Sequence, residues 1–143
     1  MSEYKFLYWD DAGDTQSEVD NQAVDTIAVY GTLKRGHGNH GFLSGSSVKF
    51  LGNGVTEKKY RLCISSLPYL LEGESNSGYN VKVEVYKVDS RTFRKIDMLE
   101  GHPHFYKREK TTVRLSNNNF VDCWVYFVKD VNAYDNMVYH EEY

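Results

Sequence analysis

Cysteine is scarce in this chain of 143 residues. Cys63 and Cys123 are the only two, and each sits inside an apolar run without the spacing of a metal knuckle or a CxxC redox pair. Both are expected as reduced core side chains. Long apolar runs are missing too: none approaches the roughly 20 residues needed to cross a bilayer. The start, Met1 to Asp14, lacks the basic opening and apolar middle of a signal peptide. A cytoplasmic protein with no membrane partner is expected. Nor is there an excess of basic charge, since 17 Lys and Arg face 20 Asp and Glu for a net charge of −3. Phosphate backbones demand clustered cations, so nucleic acid is not an expected partner. The runs Glu57-Lys58-Lys59 and Lys107-Arg108-Glu109-Lys110 mix their signs and read as solvated strand edges. No internal repeat is present, and no Gly-x-Ser-x-Gly elbow surrounds Ser44, Ser65 or Ser66.

Aromatic residues are what the chain has in abundance: twelve Tyr, seven Phe and two Trp. Such an interior suits strands. The length fits one domain able to bury roughly two-thirds of its unfolded surface. Tyr4 to Trp9 reads as a short edge strand and Asp10 to Asp25 as an acidic loop. Thr26 to Tyr30 is an apolar run ended by Gly31, as in a buried strand stopping at a turn, and the glycine-rich stretch Gly36 to Gly41 follows as loop. Val48 to Leu51 and Val55 to Ile64 read as two strands of a hairpin, because Asn53-Gly54 between them is a strong turn signal. In Val81 to Val85 the valines alternate with Lys82 and Glu84, the pattern of a half-buried strand. Arg91 to Glu100 is the clearest helix: Asp89 or Ser90 caps it, Phe93, Ile96 and Leu99 recur at helical spacing, and Gly101 and Pro103 stop it. Phe105 to Leu115 and Phe120 to Val128 read as strands joined by a turn at Ser116 to Asn119. The expected fold is therefore α+β: a mixed, curled sheet approaching a small barrel, with one main helix and short helical segments.

Two features carry chemistry. On a helical wheel of about 100° per residue, Glu100 falls between Phe93 and Ile96, on the inward face. It either bends out to water or a base such as Arg108, or stays half-buried, where desolvation raises its pKa toward the range of a working general base. Asp97 lies about 60° away and is expected in a structural hydrogen bond. The second feature is Tyr30-Gly31-Thr32-Leu33, where a glycine free to take angles closed to other residues lets successive N–H groups point into one concavity. Such a nest holds an anion or oxyanion; an ordinary turn is the alternative. His37 with His40, and His102 with His104, are spaced as metal ligands only loosely and sit in flexible loops without a cysteine partner, so no metal site is expected.

Ala28-Val29-Tyr30-Gly31-Thr32-Leu33-Lys34-Arg35-Gly36, followed by Asn39-His40 and Leu43, resembles the opening signature of the γ-glutamylcyclotransferase-like family, especially its γ-glutamylamine cyclotransferase (AIG2-like) branch. Pro68-Tyr69-Leu70, Glu84 to Asp89, Ile96 to Glu100, Tyr106-x-Arg108 and Trp124-Val125-Tyr126 continue the resemblance in order. It spans about residues 26 to 128, giving a division into an N-terminal extension (1–25), a domain of that fold (26–130) and an acidic tail (131–143). The family usually has Gly where this chain has Val83, a branched residue expected to narrow the pocket or shift the substrate. The resemblance implies that Glu100 is catalytic and that Tyr30, Gly31, Thr32 and Leu33 hold the substrate, with Tyr106 and Tyr126 near it. It further implies cyclisation of a γ-glutamyl amine or γ-glutamyl amino acid to 5-oxoproline, in a scheme that needs no cofactor or metal. The leaving group is open among an amino acid, a polyamine, a lysine side chain and an antibiotic precursor. A binding module on the same scaffold, without turnover, is the rival reading. The extension and tail are open to roles as a lid, a protein-partner contact or solubilising chain.

Overall fold

The computed structural model describes residues 24–130, 132–134 and 136–143. The aromatic run Tyr4 to Trp9 lies outside them, as does the acidic segment up to Ala23. The last two residues of that segment, Val24 and Asp25, are not loop: they open strand β1 (Val24–Val29) and pair with Asp89 and Val88. β1 is joined in a closed barrel by β2 (Lys49–Tyr60), β5 (Tyr79–Asp89), β6 (Lys107–Leu115) and β7 (Phe120–Phe127), in the order β1-β5-β2-β6-β7. All neighbours are antiparallel except β1 and β7, which run parallel and close the barrel through Ile27 and Trp124. A second, three-stranded sheet is ordered β4 (Pro68–Leu70), β3 (Leu62–Ile64), β8 (Tyr139–His140). The helix α1 (Ser90–Glu100) and two short 3-10 turns, His40–Leu43 and Asn132–Tyr134, complete the mixed, curled α+β architecture expected from the pattern of elements. No helix among the described residues is long and apolar enough to cross a membrane.

Alternation of side chains divides the interior in two. Ala28 and Tyr30 of the first strand region, Val81, Val83 and Val85 of β5, and Cys123, Val125 and Phe127 of β7 fill the barrel. Their neighbours Ile27, Val29, Tyr86, Val88 and Tyr126 point the other way, into a second core shared with Phe93 and Ile96 of α1. Both β1 and β7 are thus buried on two faces where they approach their ends, which explains why Thr26 to Tyr30 is so uniformly apolar. Cys63 and Cys123 are buried and free.

The hairpin expected at Gly52-Asn53-Gly54 does not form. β2 runs straight through it, with a register shift between Phe50 and Gly52. The glycines serve a bulge and a close approach instead: Gly52 has φ +144°, and a Cβ on Gly54 would lie 2.7 Å from both the Arg114 carbonyl oxygen and Val113 Cγ1. Gly54→Ala is therefore expected to cost about 1–3 kcal/mol by overpacking, seen as a lower urea midpoint at unchanged slope. A turn glycine open to solvent would tolerate the change. The stretch from Val55 to Ile64, expected as a single strand, is likewise not one strand: it breaks at Arg61, where the chain leaves the barrel for the second sheet.

The helix begins at Asp89, whose carboxylate accepts from the Thr92 hydroxyl, and ends as expected at Gly101, left-handed at φ 68°. Its closing bonds run from Gly101 N–H to the Met98 carbonyl and from His102 N–H to that of Asp97. The C-terminal stretch, read as a polar tail, is built into the fold. Tyr139 and His140 pair with Cys63 and Leu62, and the Glu141 carbonyl accepts from Lys82 N–H at 2.8 Å. Lys34 Nζ donates to the Tyr143 carbonyl at 2.8 Å.

Candidate active site

The site forms where β1 runs out. Tyr30 follows the strand, and its buried hydroxyl donates to the Tyr126 carbonyl at 2.8 Å, tying the start of the loop to β7. Gly31 comes next and passes directly against β4: a Cβ there would sit 2.6 Å from Pro68 Cγ. The residue is not among those with positive φ, so glycine is required for space and not, as its sequence context implies, for unusual backbone angles. The loop is then fixed by Asn39, whose N–H donates to the Thr32 carbonyl and whose Nδ2 donates to Thr32 Oγ1, both at 2.9 Å. His40 Nδ1 lies 3.0 Å from the Leu33 carbonyl oxygen. None of the Gly31, Thr32 and Leu33 N–H groups is taken by an acceptor among the described residues, which leaves a row of backbone donors free for a ligand.

Glu100 is the last residue of α1 and faces this loop across a cavity of about 270 Å³. Tyr30, Gly31, Thr32, Leu33, Glu100, Tyr106 and Tyr126 all line it, so every residue singled out for the site shares one hollow. Among the described residues the Glu100 carboxyl has no ion pair and no hydrogen-bond donor. Burial alone pushes its pKa up from 4.5 to about 7. Arg108, the base that offered an alternative partner, is engaged elsewhere: its Nε meets Asp97 Oδ1 at 2.9 Å, and its guanidinium lies 4.3 Å above the Phe93 ring and 4.7 Å above Trp124. It is therefore not part of a merely solvated edge. Asp97 also accepts from the Tyr126 hydroxyl at 2.6 Å, the structural role its wheel position predicts. One helical turn thus carries two carboxylates three residues apart, Asp97 with protein partners and Glu100 with none among the described residues.

The three phenols are held well above their ordinary pKa, chiefly by burial and in part by the charge of Glu100. They stay protonated, and their hydrogens are committed to protein acceptors: Tyr30 to Tyr126 O, Tyr126 to Asp97, and Tyr106 to Pro68 O at 2.8 Å. What Tyr106 and Tyr126 offer the cavity is ring surface and oxygen lone pairs. Val83, expected to narrow the pocket, is not in its wall; it is buried inside the barrel and borders a separate hollow with Lys34, Lys82, Glu84 and Arg114. Leu67, Leu99 and Phe105 also line the cavity and were not signalled as site residues: Leu67 and Phe105 lie in bends with no periodicity to read, and the helical spacing of Leu99 marked it only as a packing position. Leu99 is 38% exposed because it borders the opening, whereas Phe93 and Ile96 of the same helical face are buried. Among the described residues no group of three or more His, Cys, Asp and Glu is arranged to hold a metal.

Residues 27–143 match the family model described as Gamma-glutamyl cyclotransferase, AIG2-like. A gamma-glutamylaminecyclotransferase of Rattus norvegicus is 35% identical over 113 residues, covering 70% of this chain and 75% of its own. That of Homo sapiens is 40% identical over 95 residues, 62% of this chain and 61% of its own. The crystal structure of an AIG2-like protein from Mus musculus superposes with a TM-score of 0.77 at 32% identity, covering 84% of this chain and 88% of that one. Barrel, helix and loop together with these matches establish that the chain belongs to the Gamma-glutamyl cyclotransferase, AIG2-like family.

Proposed function

We propose that the protein cyclises γ-glutamyl amines or γ-glutamyl amino acids, releasing 5-oxoproline and the free amine, with Glu100 as the general acid and base. The observation that carries this reading is a carboxyl with no counter-ion among the described residues, its pKa raised to about 7, sharing one cavity with Gly31, Thr32 and Leu33, whose amides meet no acceptor among those residues. In the reaction the substrate's own α-nitrogen attacks its γ-carbonyl carbon and closes a five-membered ring, an arrangement favoured because nucleophile and electrophile belong to one molecule. Glu100 removes a proton from the α-ammonium, the ring nitrogen gives up a second as the ring closes, and of these two protons one goes to the departing nitrogen as the amide C–N bond breaks while the other ends on the released amine as an ammonium or in solvent. The loop N–H groups hold the substrate carboxylate or the tetrahedral oxyanion, where each well-placed oxyanion donor is worth on the order of 3 kcal/mol. No covalent bond to the protein is made. The names of the rat and human relatives support the amine class of substrate.

Mass spectrometry of a panel of γ-glutamyl amines and γ-glutamyl amino acids incubated with the protein tests the reading. Stoichiometric appearance of 5-oxoproline and the cognate amine is the expected result. No release from any member overturns it in favour of a binding module.

A further inference from the structure

Lys34 comes directly after the loop that carries Gly31, Thr32 and Leu33, but it is not in the wall of their cavity; it borders the separate hollow with Lys82 and Glu142. Among the described residues it is the one buried cation, only 7% exposed. Lysine is seldom sunk so far unless its ammonium is engaged. Here Nζ donates to the Tyr143 carbonyl at 2.8 Å, across 109 positions of chain, and lies 3.9 Å from Glu142 Oε2. The segment at the far end of this bond is itself fastened. Tyr139 and His140 pair with β3, the Glu141 carbonyl accepts from Lys82 N–H of β5, and the Tyr143 side chain packs on the barrel core with its ring 5.1 Å from that of His37.

On the loop side, Lys34 N–H donates to the Gly31 carbonyl at 3.0 Å and closes a turn around Thr32 and Leu33, while the Lys34 carbonyl accepts from His37 N–H at 3.1 Å. A displacement of Lys34 is therefore passed to the two amides inside the turn. The other holds on the loop come from its own flank and from β5: Asn39 on Thr32, and Glu84 Oε1 on Arg35 N–H at 3.0 Å. Amides that stabilise a developing charge contribute most when they are fixed before the reaction begins. We propose that Lys34 is a positioning residue: clasped by the Tyr143 carbonyl, it fixes the amides of Thr32 and Leu33 opposite Glu100, so that Glu141 to Tyr143 act on the reaction through it without touching substrate. This rests on the cyclotransferase reading of the cavity.

Lys34→Met keeps most of the stem and removes the donor, and deletion of Glu141 to Tyr143 removes the acceptor. With the γ-glutamyl panel each is expected to lower kcat/KM by about ten- to a hundredfold, the effect of a displacement near 1 Å. Combined, they lower it no further than the larger single loss, because both cut the same tether. Lys34→Arg, which keeps a donor for the Tyr143 carbonyl, stays closer to the native rate than Lys34→Met. The pH at which kcat/KM rises, about 7, stays in place, since the cation lies outside the cavity wall. Hydrogen exchange of the Lys34 and Asn39 amides, bonded to the Gly31 and Thr32 carbonyls, quickens in both cut proteins while that of Val81, Val83 and Val85 does not. Additive losses, unchanged exchange in the loop, or equal losses with Arg and Met overturn the proposal, as does a Lys34→Met protein that fails to fold, which would show a global role. If the deletion fails to fold, the Met and Arg variants decide by themselves. Should the loop slacken as expected while the native protein releases no 5-oxoproline, the clasp stands and the turnover reading falls.

Discussion

On the proposed reading, Glu100→Gln is expected to lower the rate of 5-oxoproline release by about a hundredfold to ten-thousandfold, with KM little changed. The amide keeps the size and place of the carboxyl but cannot accept the proton, so the loss belongs to the chemical step. The pH dependence carries the same signature. The base works when ionised, and kcat/KM of the native protein should rise as pH climbs through about 7, the value to which burial raises Glu100. Stability should move the opposite way. A carboxyl whose folded pKa lies above its unfolded value binds its proton more tightly in the fold, so its stabilising effect is complete below about 4.5 and is lost as pH rises to about 7. That loss is on the order of 3 kcal/mol before solvent at the half-buried site reduces it. The Gln variant should show no such decline and should be the more stable protein at pH 8. Urea denaturation at pH 5 and pH 8 reads both; a native protein whose stability is flat across that window rules out the buried base.

Gly31→Ala is expected to reduce kcat/KM by about ten- to a hundredfold, as a displacement near 1 Å at a reacting centre does. It should also cost about 1–3 kcal/mol of stability. The new methyl would lie 2.6 Å from Pro68 Cγ, too close for either to remain in place. Pro68 is not free to retreat, because it begins a strand paired to Ile64 and its carbonyl holds the Tyr106 hydroxyl at 2.8 Å. The loop must then swing into the cavity, carrying the amides of Thr32 and Leu33 with it. Adding Pro68→Ala removes the offending Cγ and leaves the nearest old contact, Pro68 Cβ, at 3.5 Å. The double variant should recover activity over Gly31→Ala alone, a favourable coupling in a double-mutant cycle. Strict additivity of the two losses would show that the glycine serves some other purpose.

How far the residues announce this site depends on whether a local rule governs them. Glu100 was legible because helical periodicity is a rigid ruler: Phe93 and Ile96 point inward, and a charge between them stands out. The loop from Tyr30 to Leu33 was legible as a strand end, but the reason for Gly31 was not, since the Pro68 ring that demands it is 37 positions away. Asn53-Gly54 misled for a related reason. The pair is a strong turn former only when no other strand needs the space, and here Val113 and Arg114 of β6 press against Gly54. By sequence Arg108 offered itself as a partner for Glu100, and its pairing with Asp97 was not foreseen. Packing over Phe93 and Trp124 steers its guanidinium to Asp97 and leaves Glu100 without a counter-ion among the described residues. Tyr139, His140 and their neighbours looked like tail because a two-residue strand has no periodicity to read.

The barrel is joined between β1 and β7 at a single point, Ile27 opposite Trp124. Past it the two strands diverge in backbone: β1 bends into the amide-bearing loop, held to β7 only through the Tyr30 hydroxyl on the Tyr126 carbonyl among the described hydrogen bonds, and β7 goes on to bind Leu70 and Glu72 through Val128 at 2.8 Å on each side. The candidate cleft thus opens where the β1–β7 seam of the closed barrel runs out, and on this geometry it is expected to breathe by splaying two strand ends while both cores stay packed. Hydrogen exchange should register this as rapid labelling of the Gly31, Thr32 and Leu33 amides beside slow labelling of Val81, Val83 and Val85, with the seam tightening only when a γ-glutamyl ligand bridges it.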